Sequence, residues 1–145
     1  MQKVLTLGEY VKKRNGVAIG GSGSMSNMLK RSIGAGSFDV FWQYWNPIWG
    51  YYLNKKVMKP LSRVFPVWLA IIMTFFVSGF LHDVAITLVR REITVVFTTW
   101  FTLMSFAVVA TKAFNISYRT QHWVVRSAIN LTIIVGSFMI TRQFV

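Results

Sequence analysis

The chain has no cysteine and few residues suited to acid–base or metal chemistry, with four acidic residues and two histidines among 145. The absence of cysteine excludes disulfides, thiolate metal sites and a cysteine nucleophile. The histidines, His82 and His122, lie forty residues apart and share no helical metal-ligand spacing, so we predict no metal site. No serine lies in a Gly-x-Ser-x-Gly motif, which leaves a hydrolase triad poorly supported.

Charge is also scarce, and its sign is unbalanced. Charged residues make up 14% of the chain and hydrophobic residues 54%, with a net charge of +12, whereas a soluble domain usually carries about 25% charged residues. The positive excess would suit nucleic acid, anionic lipid or an acidic partner. Because the apolar residues are clustered and the aromatic residues have no interleaved arginines, we predict membrane lipids as partners and no nucleic acid.

Three long apolar runs predict membrane-spanning helices. Residues 64–82 and 93–111 are runs of nineteen residues without Asp, Glu, Lys or Arg, long enough to cross a hydrocarbon core of about 30 Å. A third run covers residues 123–141 if the Arg126 side chain reaches the headgroups. We therefore predict an all-α integral membrane protein with spans at about 64–89, 93–111 and 123–141.

The part of the chain before these runs begins with a basic segment, residues 1–31. It is expected to contain a short amphipathic helix and then a flexible Gly/Ser stretch at residues 20–24. That stretch lacks the Gly-Lys-Ser/Thr ending of a phosphate-binding loop and is better interpreted as a linker. The first 63 residues hold ten of the sixteen Lys and Arg residues. Because positive charge is enriched on the cytoplasmic side of membrane spans, we expect a cytoplasmic N-terminus.

Residues 32–63 form an aromatic segment that ends in a basic stretch. Eight of the fifteen residues from 38 to 52 are aromatic, and such rings favour the membrane interface as anchors. Pro47 and Gly50 would interrupt a long straight helix, so we predict an interfacial or re-entrant pair of helices. Basic residues follow this segment, immediately before the first predicted span, and can contact anionic headgroups there. They are Lys55, Lys56, Lys59 and Arg63.

His82 is the first candidate for chemistry because it follows a long apolar run. An ionisable residue at membrane depth is costly and implies a cavity or a polar partner. On a helix, Ser78 shares its face and could orient the imidazole, whereas Asp83 points about 100° away. The alternative is that His82 lies at the helix end, hydrogen-bonded in the interface. His122, beside Trp123, is interpreted as an interfacial residue.

Asn46 is the second candidate because it lies within the aromatic sequence Phe-Trp-Gln-Tyr-Trp-Asn-Pro at residues 41–47. An amide buried among aromatic rings must satisfy its donor and acceptor groups, and it could hold a substrate carbonyl or an oxyanion. Alternatively, Asn46 caps a helix that begins beside Pro47. The residue type alone leaves both interpretations open.

Three motifs, taken in order, resemble the membrane-bound O-acyltransferase family, and most closely its wax-synthase and diacylglycerol-acyltransferase branch. They are the Phe-Trp-x-x-Trp-Asn-Pro element at residues 41–47, the Lys-Lys-x-x-Lys-Pro-Leu element at residues 55–61, and the Val-Ser-Gly-Phe-Leu-His-Asp element at residues 77–83. The spacing of 36 residues between Asn46 and His82 matches the family pattern. The resemblance covers about residues 32–114 and only the family's C-terminal catalytic half.

The resemblance implies that His82 is the general base for a hydroxyl that attacks the thioester carbonyl of an acyl-coenzyme A. Such a base typically contributes about 10²–10⁴-fold to the rate. Asn46 would be its polar partner in the reaction chamber, and the basic stretch could attract the anionic nucleotide of the donor or a lipid phosphate. Acyl-coenzyme A is the donor substrate, and no cofactor is implied. The residues assigned to substrate binding are Ser78, Trp42, Trp45, Lys55, Lys56 and Lys59.

The predicted function is therefore acyl transfer from acyl-coenzyme A to a hydroxyl acceptor, either a lipid or a small alcohol. Family members usually have more membrane segments than the three predicted here. The resemblance therefore implies that further copies of the chain, or a partner membrane subunit, complete the chamber. The alternative is a non-catalytic accessory subunit of a larger membrane complex, which would use its aromatic residues and basic N-terminus for packing and lipid binding.

Overall fold

The computed structural model describes residues 3–145, and every regular element within that range is a helix. In chain order the elements are α1 (Leu7–Asn15), α2 (Ser24–Ile33), α3 (Phe38–Tyr44), α4 (Pro47–Leu53), a π-helical turn (Asn54–Met58), α5 (Lys59–Ser62), α6 (Val67–Arg90), α7 (Val96–Ala113) and α8 (Trp123–Phe144). The described part of the chain therefore has the predicted all-α architecture.

Helices α6, α7 and α8 are long and apolar enough to cross a membrane. They contain 24, 18 and 22 residues, and at 1.5 Å per residue even the shortest extends about 27 Å, close to the thickness of a hydrocarbon core. Large apolar side chains on their outer faces are exposed, among them Phe76, Phe106 and Val135. The three predicted spans are confirmed as candidate membrane helices, and the chain is compatible with an integral membrane protein.

The first two of these helices begin three residues later than predicted, at Val67 and Val96. Pro66 precedes α6, and a proline disfavours helical backbone in the residue before it. The start of α7 is fixed by Asp83 of α6, which accepts hydrogen bonds from two backbone N–H groups of the first turn of α7. Local backbone chemistry sets the first boundary and a tertiary contact sets the second.

Helices α1 and α2 are joined by turns. A capping box begins α1, in which Thr6 and Glu9 accept hydrogen bonds from each other's backbone N–H groups. The Asn15 side chain donates to the carbonyl oxygen of Ser24 over 3.0 Å and to its hydroxyl over 2.9 Å. The Gly/Ser stretch predicted as a flexible linker ends one residue earlier than expected, because Ser24 is already the first residue of α2.

The aromatic segment folds into two short helices, α3 and α4, separated by Trp45 and Asn46. Pro47 is the first residue of α4, a position that suits proline because the missing N–H would have no helical partner there. Gly50 lies inside α4, which continues through the π-helical turn into α5. The predicted interruption is confirmed at Pro47 and is wrong at Gly50, since a glycine lowers helix stability by only about 1 kcal/mol.

The core lies where α3 packs against α6 and α7. Phe38 and Phe41 of α3 are buried together with Ile71 of α6 and with Met104 and Val108 of α7. The aromatic content of this segment predicts a membrane interface for its rings. These two phenylalanines instead fill the space between the long helices, because burial against other apolar side chains removes more of their surface from water.

Helix α8 is hydrogen-bonded to the end of α2 and the residues after it through one buried side-chain amide. Asn130 is fully buried, and its Nδ2 donates to the carbonyl oxygens of Ile33 over 2.8 Å and Ala35 over 3.0 Å. The Tyr118 hydroxyl donates to Asn130 Oδ1. Burial, and to a lesser extent the Asp39 carboxylate, raises the pKa of Tyr118 to about 12, so this phenol keeps the proton that it donates. The amide therefore has partners for both its donor and its acceptor group.

Candidate functional site

His82 lies half-buried on α6, and a backbone carbonyl fixes its protonation pattern. Its Nδ1 is 2.6 Å from the carbonyl oxygen of Ser78, one helical turn earlier. A carbonyl oxygen can only accept a hydrogen bond, so Nδ1 carries the proton. In the neutral imidazole, Nε2 is then the nitrogen with a free lone pair. Within residues 3–145, no hydrogen bond to Nε2 is present, so this nitrogen is available to a ligand.

Three aromatic rings surround the imidazole. Phe97 is stacked on it with ring centroids 5.6 Å apart, Trp49 meets it edge-on at 5.9 Å, and Phe101 lies at 5.2 Å. These rings come from α4 and α7, whereas His82 belongs to α6. The orientation of the imidazole therefore depends on the packing of three separate helices.

His82 lines an apolar cavity of about 430 Å³. The cavity is enclosed by residues of α2, α3, α6, α7 and α8, and His82 is the only titratable side chain in its lining. Trp42 and Trp45 also line it, so the structure brings these two candidate residues together with His82. A mostly apolar chamber with few polar groups is the usual form of a small-molecule site.

Ser78 accepts hydrogen bonds from two residues of this site through two different groups. Its carbonyl oxygen accepts from His82, and its hydroxyl accepts from the indole N–H of Trp49 over 3.0 Å. The hydroxyl does not touch the imidazole directly. It instead holds Trp49, whose ring packs against His82. Trp49 was absent from the sequence-based set of candidates, and its membership of the aromatic segment was the one signal that could have indicated it.

Asp83 acts on the neighbouring helix rather than on the imidazole. Its carboxylate is buried and accepts from the backbone N–H of Phe97 over 3.0 Å, and from the backbone N–H and the hydroxyl of Thr98, each over 2.6 Å. A carboxylate at a helix N-terminus satisfies N–H groups that have no helical partner and complements the helix dipole. Because Phe97 stacks on His82, Asp83 also positions one wall of the site.

Replacing Asp83 by asparagine is expected to lower the free energy of unfolding by about 1–3 kcal/mol, because hydrogen bonds to a charged acceptor are the stronger ones. Asparagine also offers one acceptor oxygen to three donors. The measurement is the unfolding midpoint of the purified protein in detergent, followed by circular dichroism. Glu92→Gln is the control, since it removes an exposed carboxylate from the loop between α6 and α7. Equal shifts in the two variants would contradict the capping role.

Asn46 caps α4 and is exposed, so the capping alternative is confirmed and the alternative of an amide buried among aromatic rings is wrong. It occupies the left-handed region at φ 39°, between α3 and α4, and its Oδ1 accepts from the backbone N–H of Trp49 over 3.3 Å. Within the described range no hydrogen bond joins it to His82. Asn46 lines a second cavity, of about 400 Å³, and Trp45 lines both that cavity and the one at His82.

Two of the three candidate lysines share a third cavity, of about 480 Å³, between α1 and α4. Lys55 and Lys59 line it together with Lys13 and Arg14 of α1. The ammonium group of Lys55 also donates to the hydroxyl of Tyr51 over 3.4 Å. Lys56 is exposed and is not among the residues of this cavity.

Neither a protein-family model, nor a curated protein, nor a solved structure matches the chain. The assignment of function therefore depends on the residues and their geometry.

Proposed function

We propose that the chain is a membrane-embedded O-acyltransferase-like protein that transfers an acyl group from acyl-coenzyme A to a hydroxyl acceptor. One observation carries the proposal: His82 lines an otherwise largely apolar cavity of about 430 Å³, and its Nδ1 is held by the Ser78 carbonyl, which leaves Nε2 with a free lone pair. The resemblance of the motifs around Asn46 and His82 to membrane-bound O-acyltransferases supports the same reaction.

His82 would act as the general base. Its Nε2 removes the proton of the acceptor hydroxyl as the oxygen attacks the thioester carbonyl carbon. The tetrahedral intermediate then collapses, the carbon–sulfur bond breaks, and the imidazolium returns the proton to the leaving thiolate. The new ester and free coenzyme A are the products. The apolar walls, including Trp42 and Trp45, would hold the acyl chain and exclude water from the thioester.

Asn46 would position the donor from the adjoining cavity. Its Oδ1 is occupied by the Trp49 backbone N–H, which leaves the amide NH₂ group to donate to a substrate carbonyl or to the developing oxyanion. Because Trp45 lines both cavities, a donor that uses Asn46 and His82 together must lie across this indole.

The basic residues would meet the anionic nucleotide of the donor at the cytoplasmic face. Lys55 and Lys59 are the stronger candidates because they line a cavity with the cations of α1, and Lys56 would add to the local field. We place the N-terminus in the cytoplasm, since ten of the sixteen Lys and Arg residues precede α6. A second copy of the chain or a partner membrane subunit would complete the chamber.

The test is an acyl-transfer assay on the purified protein in lipid nanodiscs, with acyl-coenzyme A donors and long-chain or small alcohols. The chain has no cysteine, so the released coenzyme A is the only thiol that the assay detects. We expect thiol release that depends on the alcohol and a matching amount of ester product. Stable co-purification with other membrane subunits, together with no thioester cleavage by protein or complex, would instead support the accessory-subunit function.

A further inference from the structure

Two adjoining cavities lie where the C-terminal half of α2 meets the start of α8. The first is cationic and has a volume of about 510 Å³, and the second is a mostly apolar groove of about 670 Å³. Lys30 and Trp123 line both of them. These two residues therefore form the boundary between a charged compartment and an apolar one.

Three cationic residues line the first cavity, and the Arg31 guanidinium donates to the Arg14 carbonyl oxygen. Lys30, Arg31 and Arg126 line it, and no aspartate or glutamate is part of its lining. Over residues 3–145, the one ion pair joins Lys3 to Glu9, so no carboxylate neutralises this cluster. The buried Nε of Arg126 also has no hydrogen-bond partner among those residues. Cationic side chains that line one cavity without a carboxylate partner attract a bound anion.

The groove follows one face of α2. Met25, Leu29 and Ile33, spaced four residues apart, line it together with the ring of Trp123. Met25 is 66% exposed and Leu29 is 37% exposed, so this stripe lacks a covering element within the chain. It extends about 12 Å along the helix, and both Leu29 and Ile33 also line the cavity at His82.

Trp123 fixes the boundary between the two compartments. Its indole N–H donates to the Lys30 carbonyl over 3.1 Å. A Cβ on Gly34 would lie 2.0 Å from Trp123 Nε1, so only glycine at this position permits the contact. Trp123 is also the first residue of α8, and tryptophan at the start of a membrane span lies at the level of the headgroups.

We propose that this corner binds one anionic phospholipid, with its phosphate in the cationic cavity against Lys30 and Arg126 and an acyl chain along Met25 and Leu29. Basic pockets beside membrane helices bind anionic headgroups. A soluble phosphate compound would match the charge but leave the groove empty, and a zwitterionic lipid would bring its own cation to the cluster. The binding test does not depend on acyl transfer, since it requires neither His82 nor a thioester.

The experiment compares two double variants of the full chain that remove the same charge. Lys30→Gln with Arg126→Gln changes the cavity, whereas Lys112→Gln with Arg142→Gln removes one Lys and one Arg that lie outside it, in the last turns of α7 and α8. Each purified protein is titrated with phosphatidylglycerol, phosphatidylcholine or glycerol 3-phosphate, and the bound molecules are counted by native mass spectrometry.

We expect the wild type to retain one phosphatidylglycerol per chain. The cavity variant should bind it roughly 30-fold more weakly, because each Lys or Arg near an anionic headgroup contributes about fivefold, and the control variant should bind it like the wild type. Equal weakening of both variants would show a diffuse charge effect and overturn the site. The proposal is equally overturned if phosphatidylcholine is retained as well as phosphatidylglycerol, or if glycerol 3-phosphate binds as tightly as the lipid. Melting curves of all the proteins without ligand separate loss of binding from loss of fold.

Discussion

Replacing His82 by glutamine is expected to lower the rate of acyl transfer by about 10²–10⁴-fold, the usual contribution of a general base. Glutamine can still donate a hydrogen bond to the Ser78 carbonyl, which lies 2.6 Å from Nδ1 of His82. It has no nitrogen that accepts a proton near neutral pH. The variant therefore removes the base and retains the anchoring contact, and the initial rate of thiol release measures the loss.

His122→Gln is the matched control for this experiment. His122 is the other histidine of the chain, and its exposed ring precedes α8, where Nδ1 accepts from the Val124 N–H. Its replacement should leave the rate unchanged. Loss of the imidazole also removes its packing against the surrounding rings, and an aromatic pair contributes about 0.5–1.5 kcal/mol. The thermal unfolding of both variants is therefore measured in parallel. A His82→Gln protein that is folded and fully active would rule out the base.

Replacing Gly79 by alanine is expected to give the largest loss of stability of any single methyl group added to the long helices. A Cβ at this position would lie 2.5 Å from the Phe97 carbonyl oxygen and 2.8 Å from the Thr98 Cα. Both are backbone atoms, which cannot rotate away as a side chain can. Overpacking costs about 1–3 kcal/mol and the helix preference of alanine returns about 1 kcal/mol, which leaves a net loss of up to about 2 kcal/mol.

Gly136→Ala provides the comparison, because a Cβ on this glycine of α8 meets no atom within 4 Å. The same substitution should there raise the unfolding midpoint or leave it unchanged. Gly79→Ala should also slow acyl transfer, since a shift of Phe97 moves the ring that stacks on His82. Midpoints are measured by circular dichroism in detergent. Equal midpoints for the two variants would contradict the close approach of α6 and α7.

Much of the architecture is predictable from the sequence because a membrane span depends on the length and hydropathy of a continuous segment. The break at Pro47 is equally local, since it follows from the chemistry of one residue. The start of α7 is different. It depends on Asp83, which lies 14 residues before Phe97 in the sequence, and no local pattern shows which backbone N–H groups a buried carboxylate will reach.

The candidate site shows the same division between local and long-range information. His82 was identifiable because an ionisable side chain beside a long apolar run implies a polar partner. Its actual neighbours, Trp49 and Phe97, come from other helices and are brought to it by tertiary packing. The exposure of Asn46 was also hidden, because the aromatic residues beside it pack inward on α3 while Asn46 occupies the turn that follows that helix.

The buried amide of Asn130 has a consequence for the order in which the protein matures during synthesis. Its partner at Ile33 lies 97 residues earlier, and the His82 cavity takes Leu131 and Ile134 from the same helix. At 5–20 residues per second, a ribosome needs about 5–20 s to make the intervening chain. The end of α2 and the open side of the His82 cavity therefore stay without these contacts in the growing chain until α8 is made.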